Sequence, residues 1–82
     1  QYAAGCAYLR GQGKGRVKAV HNRAVIEREL APIVVESVLP RLGQPQSSSY
    51  EGEGYVILRH PETAVVEEGL KRIITNVRVE LG

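Results

Sequence analysis

The segment Arg10-Gly11-Gln12-Gly13-Lys14-Gly15-Arg16 is the stretch whose residue types and spacing best suit chemistry. Its glycines expose backbone N–H groups and three cations stand among them. A helix expected to begin at Arg16 would point its positive end at the same place, and such an arrangement can hold a phosphate. The formal motifs fail. A dinucleotide fingerprint needs glycine where Arg16 stands, and a P-loop lysine is followed by Ser or Thr, whereas Lys14 is followed by Gly15. The segment therefore reads first as a loop, mobile or ordered by assembly, and second as an electrostatic contact for nucleic acid. Only Tyr2 and Tyr8 supply aromatic rings near it, so base stacking has little support and any nucleic-acid contact would be directed at the backbone.

Other candidates for catalysis are isolated. Cys6, His21 and a Glu form a nucleophilic set only if the N-terminal segment folds back over the following helix. His60 precedes Pro61 and reads as a helix-start residue, and His21 stands on a cationic stretch between Lys18 and Arg23. The serines Ser47–Ser49 sit in a turn-rich connection without nucleophile-elbow glycines. Two His, one Cys and no Asp leave no metal-ligand spacing on any one predicted face. The expectation is a chain with no catalytic set, no metal and no cofactor.

Charge is divided along the chain. Residues 1–28 carry a net of +5, and residues 29–82 a net of −3, within an overall +2. A dipolar molecule of this kind seeks an anionic partner with its basic end. Arg10, Lys14, Arg16, Lys18 and Arg23 form the basic candidate surface. Glu51 and Glu53, flanked by Tyr50 and Tyr55, form an acidic one together with Glu67 and Glu68.

The elements that must position these residues are read from pattern. At 82 residues there is room for one small domain. With no Phe, Trp or Met its core is aliphatic, and a core this small gains from oligomerisation. Residues 1–15 are expected to be a basic, Gly-rich arm or loop, within which Tyr2–Arg10 reads as a strand, a short helix or an ordered arm, and residues 16–82 a single α+β domain. From Arg16 a helical stripe runs through Val17, Val20, Ala24, Ala31, Val35, Val38 and Leu42. A second apolar set, Ile26, Leu30, Ile33 and Val34, lies on the opposite side. This long helix is kinked or restarted at Pro32, with a strand as the alternative for residues 33–39.

Gly52-Glu53 suits a hairpin turn joining Ser48–Glu51 to Gly54–Arg59. Tyr55–Leu58 reads as a strand. Pro61 then opens a helix with Val66, Leu70, Ile73, Ile74 and Val77 inward, and Glu67–Lys71 and Glu68–Arg72 as supporting pairs. Asn76 is its left-handed stop, and Val77–Leu81 a half-buried strand. The fold class is thus α+β: an arm, a long helix, and a small sheet ending in a strand–helix–strand unit.

No run approaches the ~18 apolar residues of a membrane span. Ala3-Ala4-Gly5-Cys6 has the spacing of a lipoprotein box but lacks the apolar run before it. A start at Gln1 without any Met suggests a processed product or part of something longer. The functional expectation is a non-enzymatic assembly subunit, a homo-oligomer or a component of a larger particle, whose basic arm lies on acidic surfaces of neighbours. Small ring-forming connector and tail proteins of tailed phages offer an analogy of architecture, without a motif, and make cytoplasm or virion the expected location. The alternative is a nucleic-acid-binding module that uses the same basic residues on phosphates.

Overall fold

The computed structural model describes residues 2–46 and 52–82. Two three-stranded sheets share one α-helix. The elements are β1 (Ala3–Leu9), β2 (Gly11–Gln12), β3 (Val17–His21), a π-helical turn (Val25–Glu29), a 3₁₀ turn (Ala31–Ile33), β4 (Val34–Val38), β5 (Gly54–His60), α1 (Thr63–Asn76) and β6 (Arg78–Leu81). The first sheet has the order β1-β5-β4, all antiparallel, and the second the order β2-β6-β3. Within the second, β2 runs parallel to β6 and β3 runs antiparallel to it. The α+β class expected from pattern is the class observed.

Of the strand, short helix and arm open to residues 2–10, the strand is the one found, and the segment is not a free arm. Ala3–Leu9 pairs along its whole length with β5, and Gly11–Gln12 continues into the second sheet beside β6. One chain segment therefore ties both sheets together. The signal was period two: Gly5, Ala7 and Leu9 face the core while Ala4, Cys6 and Tyr8 face outward.

The long helix is also absent. Residues 17–38 form β3, the two short turns and β4. Apolar residues on two opposite sides were the mark of strands linked by a buried connection. Val25, Ile26 and Leu30 plug the core from that connection, and Leu30 N–H closes the π-helical turn on the Val25 carbonyl at 2.9 Å. The density of Val and Ile at residues 33–38 favours extended backbone, so the strand alternative is the one found. Asn22, with φ of 61°, breaks the chain just before the turn. Asn tolerates this left-handed region better than most residues.

The C-terminal unit follows the expected order with three corrections. Helix α1 begins at Thr63, with Pro61 before its cap; the His60 Nδ1 accepts the Glu62 N–H at 2.9 Å. Asn76 stays helical and its Nδ2 donates to the Arg72 carbonyl at 2.9 Å. Ile74, expected inward, is 70% exposed. At about 100° per residue, the buried face is set by Val66, Gly69 and Ile73, and Ile74 falls on its flank.

Gly69 was invisible to an apolar count, yet it is central to packing. A Cβ there would lie 2.7 Å from Leu58 Cδ1, and one on Gly5 would lie 2.6 Å from Leu70 Cδ1. These two glycines let α1 lie close on the inner face of β1 and β5. Val56 and Leu58 from that face, with Ile73 and Val79, are the largest fully buried side chains.

Candidate interaction surface

The expected basic set is dispersed. Arg10 is exposed at the corner where β1 passes into β2. Lys18 on β3 lies 3.6 Å from Glu80, and Arg23 lies 3.0 Å from Glu27. Lys14 and Arg16 flank a loop sewn to residues 43–46. Gln46 N–H donates to the Gly15 carbonyl at 3.1 Å, Gly43 N–H to the Val17 carbonyl at 2.7 Å, and Arg16 Nη1 to the Gly43 carbonyl at 2.9 Å. Gly13 and Gly15 take φ of 104° and 109° there, which is the reason for glycine at those two positions.

The expected acidic surface is not assembled either. Glu51 lies outside the described residues. Glu53 is only 8% exposed, and its Oε2 accepts the Gly11 N–H at 2.6 Å while its own N–H donates to the Leu9 carbonyl at 2.7 Å. It is therefore a buried clasp on the β1–β2 corner. Gly52, with φ of 77°, supplies the turn before it. The expected hairpin partner, residues 48–51, also lies outside the described residues, and β5 is flanked by β1 and β4. Glu67 and Glu68 are exposed on α1. Neither expected i, i+4 pair closes; Arg72 turns instead to Glu29 on the π-helical turn.

Cys6 and His21 sit on different sheets, and the His21 Nε2 lies 2.8 Å from Glu80 Oε1. That hydrogen bond first, and the Lys18 charge second, lower the pKa of the Glu80 carboxyl. The result is a tie between β3 and β6 at the surface. Among the described residues, no three side chains of His, Cys, Asp or Glu converge as a metal site would require. No helix of the described residues is long and apolar enough to cross a membrane.

What the geometry does assemble is an apolar face that the sequence reading passed over. Helix α1 covers only the inner face of the β1-β5-β4 sheet. On the outer face Cys6, Tyr8, Tyr55 and Ile57 line one shallow depression of about 300 Å³. In register, Cys6 stands opposite Ile57, Tyr8 opposite Tyr55, and Ala4 opposite Arg59. On the other side of β5, Glu36 stands opposite Ile57 and Val38 opposite Tyr55. Tyr8 is 42% and Val38 45% exposed. The Tyr55 hydroxyl donates to Glu36, and the Arg59 guanidinium lies 4.3 Å from the centre of the Tyr2 ring.

The signal for this face was the alternation Tyr2, Ala4, Cys6, Tyr8 set against Tyr55, Ile57, Arg59. It becomes meaningful only once β1 is known to be a strand. A second apolar groove of about 300 Å³, lined by Leu30, Ile33, Ala64, Val65 and Gly69, opens between α1 and the two short turns. Comparison with family models, with curated proteins and with solved structures finds no match to this chain.

Proposed function

We propose that this chain is a non-enzymatic assembly subunit that joins a homo-oligomer or larger particle through the outer face of the β1-β5-β4 sheet. The observation that carries this reading is a sheet covered by a helix on one side only. Its other side is rich in tyrosine and aliphatic side chains. A sheet with two apolar faces needs a layer on each. Tyrosine is enriched where proteins meet, because it buries a large ring and keeps a polar tip. Sheet packing takes the place of the basic-arm mechanism in this reading, since Ala3–Leu9 and Gly11–Gln12 are committed to strands and Glu53 is buried.

Sedimentation velocity over a range of concentrations tests the reading. Wild type should show species heavier than one chain, and Ile57→Glu should remove them while leaving the circular dichroism of the fold intact. A wild-type chain that remains a single-chain species at millimolar concentration would overturn it.

One observation favours the second reading, a nucleic-acid contact. The Gly13–Arg16 loop is sewn to residues 43–46, with Arg16 Nη1 donating to the Gly43 carbonyl at 2.9 Å and Gln46 N–H to the Gly15 carbonyl at 3.1 Å, so Lys14 and Arg16 are held on a fixed loop two residues in sequence from Arg41's segment. Binding there would weaken with salt by a log–log slope of about −0.9 per duplex phosphate neutralised. No retention of the chain on duplex or single-stranded DNA at low salt removes this reading.

A further inference from the structure

A cleft of about 320 Å³ opens at the seam of the two sheets, where the chain leaves β1 and enters β2. Its floor is made by the buried Leu9, Ile73 and Val79, and its wall by Val77 and by Ile74, which is 70% exposed. The exposed Arg10 and Arg78 stand at its rim, and among the described residues no acid lines it.

The strand register explains why both arginines arrive there. β2 runs parallel to β6 with Gly11 opposite Val79, so Arg10 and Arg78 each stand one residue before that pair. Neighbouring strands lie about 4.8 Å apart, and like charges set side by side on them are destabilising. Elsewhere cations meet acids: Lys18 meets Glu80, Arg23 meets Glu27 and Arg72 meets Glu29. Among the described residues Arg78 makes no such pair.

We infer that this cleft binds a small amphiphilic carboxylate, with its head between Arg10 and Arg78 and its apolar body along Ile74 and Val77. The inference stands apart from the assembly reading above. Three features select the ligand class. The forked N–H donors of a guanidinium match a carboxylate. The last turn of α1, which ends at Asn76, brings the negative end of the helix dipole to the same place, so a singly charged head suits the site better than a phosphate dianion. At about 30 Å³ per water-sized group, the cleft has room for roughly ten non-hydrogen atoms. An apolar body of that size also takes the Ile74 side chain out of water.

Octanoate is the probe, with octanol as the uncharged control and acetate as the control without an apolar body. Titration followed by amide resonances should move Leu9, Gln12, Val77 and Arg78, saturating with a millimolar Kd, as weak ligands of this size do. Octanol and acetate should each bind at least about tenfold more weakly. Arg78→Gln should weaken octanoate by about tenfold, the effect of losing one charge-assisted hydrogen bond. Ile74→Ser should weaken it by about as much through lost apolar contact. Both side chains are exposed, so circular dichroism should show the fold unchanged. Arg41→Gln, outside the cleft, should bind like wild type.

Saturable shifts in the cleft that need both the charge and the apolar body are the expected result. No such shifts up to about 10 mM octanoate, octanol binding as tightly as octanoate, or shifts that gather at Cys6, Tyr55 and Ile57 would each overturn the inference. A chain that binds octanoate here yet stays monomeric at every concentration overturns the assembly reading alone.

Discussion

Gly69→Ala sets two well-measured effects against each other. On an open helix surface, replacing glycine by alanine stabilises by about 1 kcal/mol. Here the new methyl would lie 2.7 Å from Leu58 Cδ1, 3.5 Å from Ile33 Cδ1 and 3.6 Å from Leu30 Cδ2. Leu58 is 0% exposed and lies on the inner face of the central strand, so its methyl can shift only by displacing packed neighbours. Overpacking of a tight core costs about 1–3 kcal/mol.

The net for Gly69→Ala is a loss of up to about 2 kcal/mol, worth roughly 4–8 °C of melting temperature per kcal/mol in a domain of this size. Gly5→Ala is the control. Its Cβ meets Leu70 Cδ1 at 2.6 Å and the buried Val66 Cγ1 at 3.1 Å; Leu70 is only half-buried and can turn away, so the change should cost less than Gly69→Ala. Urea denaturation of the two variants beside wild type measures both. A Gly69→Ala chain more stable than wild type by about 1 kcal/mol, the propensity value alone, would refute the close helix–sheet contact.

Three further outcomes follow from single contacts. Glu53→Ala should destabilise by about 1–3 kcal/mol, the cost of leaving the Gly11 N–H without its acceptor, and Glu53→Gln should recover part of this in the same urea assay because its amide oxygen can still accept. Asn22→Ala should cost about 1–2 kcal/mol from its left-handed backbone, whereas Asn22→Gly should keep the backbone and lose only the 2.8 Å bond from Nδ2 to the Asn76 carbonyl. The Glu80 pKa is lowered below its ordinary 4.5 in the fold, so its contribution to stability is present above 4.5 and fades as pH falls through the lowered value; the stability gap between wild type and Glu80→Gln, followed by urea unfolding from pH 7 downward, should close in that acid window, and a gap that widens there would contradict the tie to His21 and Lys18.

The C-terminal third was legible because each of its elements has a local cause. Tyr55–Leu58 is β-branched and aliphatic, the helix stripe from Val66 has the helical period, and the alternation of Val77–Leu81 admits only a strand. The N-terminal half was not, because its decisive contacts are distant in sequence. Nothing near Ala3–Leu9 announces that its partner is Gly54–His60, and Gly11-Gln12 becomes strand only because β6 runs beside it. Val17–Leu42 satisfies a helical stripe by chance, and the competing signals, β-branched density, Asn22 and Pro32, each point to interruption.

Glu53 and Ile74 show the same limit at single residues. An acid between two glycines reads as a solvated turn until a backbone N–H from another element reaches it, and an isoleucine in register is left outside when a glycine sets the centre of the packed face. The candidate surface was hidden for a related cause. Cys6, Tyr8, Tyr55, Ile57 and Arg59 share a face only through the β1–β5 register.

The central claim, that the outer face of the β1-β5-β4 sheet is the surface on which this chain assembles, is tested most directly by following backbone amide resonances as the protein is diluted. The account predicts that shifts cluster at Cys6, Tyr8, Tyr55, Ile57 and Arg59, with α1 little affected. Shifts that gather instead around Leu30, Ile33 and Val65, or an unchanged spectrum from millimolar to micromolar concentration, would contradict it.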